Sequence, residues 1–441
     1  MRSGKCMALE GLILRAERRR QKRGQKEICH GICVPSWLSR IEHGNVCPDE
    51  DTLAALFARL GIRYERDPQV LDEFGEKIRE YFYRLEYHME PGQVYRELKK
   101  ADETLRFGRF AIDWQLIRGF EGDETALPVS WEDWREWMSV QQLGRYLLLC
   151  YLEKPDTQDG YESCRKACEL LGSSYAMVLY CSACLMRGDY AGIHRLENRV
   201  AAAAVEEGNT YNLASYYFMK GNACACLNME KVMMDCYERG LRLLQNTGWK
   251  EELRMVYYNI GATHISLKKY DMAVEWLDRA FPEEEMALFP EGRNTGSQGR
   301  ETGTGGEGSG GKRVVKGLST EEQFAVLQKK ALALARSGKR EQAAELLDVA
   351  GAWVLQNDAC PEADYLKYEE ARMECEEGFL SSEAYAALLE RLRRVLERDC
   401  HFGHLYFYRD VITECYRRQR KYKKALEFEQ EISEKMLLTG I

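Results

Sequence analysis

Small residues recur through the body of this 441-residue chain at a spacing near forty, inside helical apolar patterns and almost without strand-like alternation. The period is clearest at Tyr257-Tyr258-Asn259-Ile260-Gly261, followed by Lys269 to Ala273, Leu277 and Ala280. Counting back from Gly261, Gly221 and Cys181 follow at steps of 40 and Gly144 at 37; further on, Ala331, Arg372 and Thr413 recur at 41. Each of the later three is paired with an alanine expected on a second helix, Ala343, Ala384 and Ala425. A period of this length describes two helices joined by a turn, a unit that cannot bury its apolar face alone and is stabilised by stacking on its neighbours. Seven such units predict an all-α fold whose body is an α-solenoid, with a concave groove lined by the first helix of each pair.

The amino-terminal end is different. Gln25 to Gly44, QKEICHGICVPSWLSRIEHG, reads as two short helices joined by a tight turn: Gln25 to Cys29 begins the first, Gly31 to Val34 breaks the pattern, and Pro35 restarts it. Proline suits the first turn of a helix, where its missing N–H is not needed. Leu38 and Ile41 form the inward stripe of the restarted helix, leaving Ser36, Trp37, Ser39 and Arg40 for its outer face. With Gln25 and Lys26 these are the candidate DNA-contacting residues. Flanking helices are expected over Ala8 to Lys22, with Leu9, Leu12, Ile13 and Ala16 inward, and over Pro48 to Leu60, with Leu53, Leu56 and Leu60 inward. Charge supports a nucleic-acid partner for this end. Residues 1–66 hold thirteen Lys and Arg against eight Asp and Glu, while the whole chain carries −8, so a basic segment precedes an acidic body. Its densest run, Arg15, Arg18, Arg19, Arg20, Lys22, Arg23 and Lys26, is suited to a phosphate backbone.

The run Ser36-Trp37-Leu38-Ser39-Arg40-Ile41-Glu42-His43-Gly44 resembles the helix-turn-helix of the Xre/cI repressor superfamily over Leu9 to Ile62. That resemblance implies a structural pair between Arg18 and Glu42. The chain departs from the pattern at Gly24, where a Ser or Thr cap is usual, and at Cys29, where alanine is usual. The paired helices of the body are similar to tetratricopeptide repeats. A basic helix-turn-helix ahead of such repeats resembles the Rgg, PlcR, NprR and PrgX group of regulators, which bind short signalling peptides in the repeat groove. The resemblance implies a homodimer on double-stranded DNA, with Asn259, and less directly Asn222, holding a peptide backbone. An asparagine amide both donates and accepts, as backbone recognition requires. Helical spacing puts Tyr258, Asn259, Ala262, Ile265 and Ser266 on the inner surface of one repeat and Phe218, Met219, Asn222, Ala225 and Cys226 on that of the repeat before. Asn222, Tyr258, Asn259 and Ser266 are the candidate peptide contacts, although Tyr258 and Tyr217 also suit inter-helix packing.

These readings divide the chain into a DNA-binding domain at 1–66, a helical linker and first repeats at 67–290, a Gly-rich insert at 291–317 and further repeats at 318–441. From Asp67 to Gly108 the pattern stays helical with a break at Pro91-Gly92, and Arg63 to Pro68 is the expected hinge. The insert, EGRNTGSQGRETGTGGEGSGGKRVVKG, lacks the apolar residues to order itself. Sixteen cysteines without a signal peptide predict a reducing, cytoplasmic setting, with Cys181-x-x-Cys184 and Cys224-x-Cys226 as core thiols rather than metal ligands. No apolar run approaches the ~20 residues of a membrane span. No catalytic, metal or cofactor motif is expected: the seven histidines do not pair with carboxylates at a catalytic spacing, and neither a phosphate loop nor HExxH occurs. The sequence thus predicts a cytoplasmic transcriptional regulator controlled by a peptide. The competing reading is a scaffold whose repeats bind a protein partner, with the helix-turn-helix as a DNA tether.

Overall fold

The structure is a computed structural model and describes residues 3–123, 131–155, 157–227, 229–245, 247, 250–282, 320–356, 360–398 and 402–437. Every element among them is helical. The insert at 291–317 lies outside the described residues. The chain divides into two compact units, residues 1–183 with 199–212 and residues 184–198 with 213–441.

The first unit opens with α1 (Ser3–Arg20), α2 (Gln25–Cys29), α3 (Pro35–Glu42) and α4 (Glu50–Arg59). The first helix begins five residues earlier than the pattern predicts, and α4 begins at Glu50 rather than Pro48, capped by Asp49, whose carboxylate accepts from Thr52 N. Leu9, Ile13, Leu38, Ile41, Leu53, Leu56 and Leu60 are buried as expected, with Leu14 and Phe57 joining them. Then come α5 (Pro68–Glu86), α6 (Gly92–Lys99), α7 (Asp102–Arg106), α8 (Ala111–Phe120), α9 (Trp131–Arg135), α10 (Val140–Glu153) and α11 (Gln158–Leu171), with the break at Pro91-Gly92 where it was expected.

The expected hinge is fastened. The Tyr64 ring stacks on Phe57 at 5.3 Å, its hydroxyl donates to Glu10, and Arg66 pairs with Asp51. One hydrophobic core runs from Leu9 and Ile13 through Phe57 to Phe82, Trp114 and Trp134, so the first four helices share their interior with those that follow. Period reading sees amphipathic helices but not that the apolar faces of two segments meet, which is why residue 66 read as an edge.

Helical hairpins make up the rest. After α12 (Ser174–Arg187), α13 (Tyr190–Arg195) and α14 (Glu197–Glu207), α15 (Thr210–Cys226) pairs with α16 (Glu230–Leu244) and α17 (Lys250–Ser266) with α18 (Tyr270–Ala280). Three further hairpins are α19 (Thr320–Arg336) with α20 (Arg340–Gln356), α21 (Glu362–Glu374) with α22 (Glu383–Arg398), and α23 (Phe402–Arg418) with α24 (Tyr422–Leu437). The small positions act as the period implied. A Cβ on Gly144 would lie 2.5 Å from Leu171, on Gly221 2.7 Å from Tyr237 and on Gly261 2.6 Å from Leu277, each on the second helix of the same pair. Ala331, Ala343, Thr413 and Ala425 are buried too.

Arg372 and Ala384 are not; both are exposed. In that hairpin the buried positions are Ala371 and Tyr385, because the connection is lengthened by a 3-10 turn at Phe379–Ser381 and the constant spacing of 41 slips by one residue. Cys181, Cys184 and Cys224 are buried thiols. No helix among the described residues is long and apolar enough to cross a membrane.

Candidate functional site

At the amino-terminal end, α2 and α3 are held by one buried carboxylate. Glu42 is 2% exposed and accepts two hydrogen bonds from Arg18, Nε at 2.6 Å and Nη2 at 2.8 Å, and a third from the Gln25 amide at 2.8 Å. Arg18 also donates to the Arg23 carbonyl at 2.9 Å, tying α1 to the start of α2. The hydrogen bonds to Glu42, ahead of the burial that opposes them, hold the Arg18 guanidinium above its ordinary value. Gly11 brings α1 against α3: a Cβ there would lie 2.1 Å from the Ile41 carbonyl oxygen. The far end of α3 closes on Gly44, φ 69°, with Gly44 N–H donating to Ile41 and Asn45 N–H to Arg40, a left-handed stop that glycine adopts without strain.

On this frame Ser36, Arg40 and Lys26 are exposed, along with Arg19 and Lys22. Ser39 is half-buried, and its carbonyl accepts from the His43 ring at 2.6 Å. Two candidate contacts are placed otherwise than the stripe suggested. Trp37 packs its ring against the core of the unit, and the Gln25 amide nitrogen is committed to Glu42. The indole is large enough to reach inward from the edge of the stripe, which a binary inward or outward reading cannot express. The basic run is likewise thinned: Arg18 serves Glu42, Arg20 serves Glu17, and Arg23 serves Glu27 and the Arg59 carbonyl.

In the second unit the four candidate peptide residues line one cavity of about 240 Å³: Asn222 from α15, and Tyr258, Asn259 and Ser266 from α17. Ala225 and Ala262 line it as the helical spacing required, whereas Ile265 and Phe218, read as inner-surface residues, are buried, Phe218 lying where a Cβ on Gly240 would meet its ring. The Asn222 carbonyl accepts from the Tyr237 hydroxyl at 2.5 Å, leaving its NH₂ as the group to offer a ligand. Burial raises the Tyr258 hydroxyl above its ordinary value, keeping it a neutral donor.

The chain matches no protein-family model and no curated protein sequence.

Sequence reasoning missed the far wall of this cavity, formed by Lys329 from α19 and by His404, Tyr406 and Phe407 from α23. Lys329 is 3% exposed, and its Nζ lies 3.6 Å from the centre of the Phe407 ring with no hydrogen-bond partner among the described residues. Burial, reinforced by Lys367 and opposed by Glu370, holds its pKa well below the ordinary lysine value. A signal was present: Gln328-Lys329-Lys330 interrupts the apolar stretch Phe324 to Ala335 at positions that are themselves buried. Lys330 is answered by Asp278 at 2.6 Å, and Gln328 donates to the Lys367 carbonyl at 3.2 Å. Of the neighbouring acids, Glu374 accepts from Arg336 Nε at 2.8 Å and Nη2 at 2.7 Å, and Tyr385 donates to Glu374 at 3.0 Å and to Glu370 Oε1 at 3.3 Å, while Glu370 Oε2 has no hydrogen-bond partner among the described residues.

Proposed function

We propose that this protein is a sequence-specific DNA-binding transcriptional regulator whose body takes a short peptide. The observation that carries the reading is the clamp of Glu42 with Arg18 and Gln25, which fixes α3 to α1 and α2 while Ser36 and Arg40 stay exposed on it. A helix held in this way enters a major groove as a preformed reader, with its amino-terminal side chains on base edges. Arg40 is the base-reading candidate; Lys26, Arg19 and Lys22 supply phosphate contacts, and Trp37 supports the helix from below. The resemblance to the Xre/cI helix-turn-helix supports the same assignment. A reader of this kind pairs with a second copy on two half-sites, so the protein acts as a homodimer.

Control by a peptide is supported by the cavity in which Asn222, Tyr258, Asn259 and Ser266 converge on tetratricopeptide-like hairpins. A peptide regulates DNA binding only if its affinity differs between the DNA-competent and DNA-incompetent arrangements. The test of the DNA-binding reading is selection from a randomised duplex library by the full chain at two salt concentrations. Enrichment of a motif with two half-sites about 10 base pairs apart, centre to centre, supports it. Retention of DNA without any enriched sequence refutes it and leaves only electrostatic attachment, the behaviour of the scaffold reading.

A further inference from the structure

The described lining of the cavity holds one buried lysine and no acidic residue. Lys329 projects from the middle of α19 into the wall shared with Phe407, and among the described residues no oxygen accepts from its Nζ. A protonated lysine in this position is costly, since an ammonium taken out of water needs both a counter-charge and hydrogen-bond acceptors. The Phe407 face compensates part of the charge but accepts no conventional hydrogen bond. Glu370 and Glu374 lie near enough to interact with Lys329 electrostatically, yet Glu374 is directed to Arg336 and Tyr385, and Glu370, whose Oε1 accepts from Tyr385, is held well above the ordinary carboxylate range by burial and by Glu374, which disfavours its charged form. None of the residues lining the cavity is acidic. An incoming carboxylate would supply what is missing, and the amides of Asn222 and Asn259 on the facing helices suit the peptide groups next to it.

We infer that the ligand of this cavity is anionic, and that a carboxylate of the bound peptide pairs with Lys329. The inference rests on the peptide-binding reading above and narrows it to peptides bringing either a free carboxyl terminus or an Asp or Glu side chain. Lys329 is a specificity-determining residue in this account. Burial opposes protonation of the amine, so carboxylate binding draws a proton onto it and weakens as the pH rises.

Two pools of random heptapeptides, one with free carboxyl termini and one with amidated termini, test the inference against full-length protein and its Lys329→Met variant. Peptides retained through gel filtration are identified by mass spectrometry, and helical circular dichroism confirms that the variant is folded. The expected result is retention by the wild type, reduced at least tenfold in Lys329→Met. Retention confined to the free-acid pool assigns the carboxyl terminus, whereas enrichment of Asp or Glu in the amidated pool assigns a side chain. Equal retention by wild type and variant, or peptides enriched without regard to acid groups, overturns the carboxylate and leaves peptide binding standing. No retention by the wild type from either pool overturns both.

Discussion

Glu10 sets a pH dependence that can be worked through from the structure. Its carboxyl is 3% exposed, accepts from the Tyr64 hydroxyl, and is pushed by burial up to about 7, against the lowering influence of Tyr64 and Arg109. In the unfolded chain a glutamate ionises near 4.5, the ordinary value. A group whose folded pKa is raised contributes its full stability below the unfolded value and loses it as the pH climbs through the folded one. The loss here builds from pH 4.5 to 7 and, at about 1.4 kcal/mol per unit, reaches about 3 kcal/mol at pH 8. Glu10→Gln keeps an acceptor for Tyr64 and cannot ionise. It is therefore expected to exceed the wild type by about 2–3 kcal/mol at pH 8 and by less than about 1 kcal/mol at pH 5. Urea unfolding followed by tryptophan fluorescence measures the difference, since Trp114 and Trp134 are buried in the same core as α1. Other carboxylates titrate alike in both proteins and cancel. An advantage of equal size at both pH values would refute the reasoning.

Gly11→Ala should destabilise the first unit by about 2 kcal/mol or more, because the new methyl meets the Ile41 backbone rather than a movable side chain, and thermal unfolding would register it. Glu42→Gln should cost about 3 kcal/mol, near the low end for a broken buried pair because Arg18 keeps 12% of its side-chain surface in water, and should weaken DNA binding through loss of the α3 frame. Lys329→Met should stabilise the second unit by about 1–3 kcal/mol at neutral pH, as an apolar replacement for a buried amine whose protonation folding opposes. Because the folded pKa of Lys329 is depressed, that gain is expected to shrink as the pH rises and to vanish near the ordinary lysine value of 10.5, a trend that denaturant unfolding at several pH values can follow.

Much of this organisation is legible in the residues. Pro35, Leu38, Ile41 and Gly44 define the start, inner face and end of α3, because each acts through local geometry that the sequence carries directly. The Arg18–Glu42 pair was reachable through a motif. The repeat period found Gly144, Gly221 and Gly261, whose absent Cβ atoms are what bring the paired helices together. Where the connection changes length, as before Tyr385, the same period misassigns Arg372 and Ala384. The cavity was half legible: Asn222, Tyr258, Asn259 and Ser266 lie on two helices one period apart, so spacing finds them. Lys329 and Phe407 reach the same space from helices 63 and 141 residues beyond Ser266, a convergence that only tertiary packing produces. Trp37 and the continuous core past residue 66 escaped for the same reason.

The central claim, that α3 reads base sequence, is tested most directly by fluorescence anisotropy of the full chain on a selected duplex and on its scrambled counterpart, beside Arg40→Ala. Arg40 is the informative substitution because it is exposed, whereas Trp37→Ala would also disturb the core. The account predicts saturable binding to the selected duplex, weakened about tenfold or more by Arg40→Ala, with far weaker binding to the scrambled one. Equal affinity for both duplexes, unchanged in Arg40→Ala and collapsing as salt is raised, would contradict it.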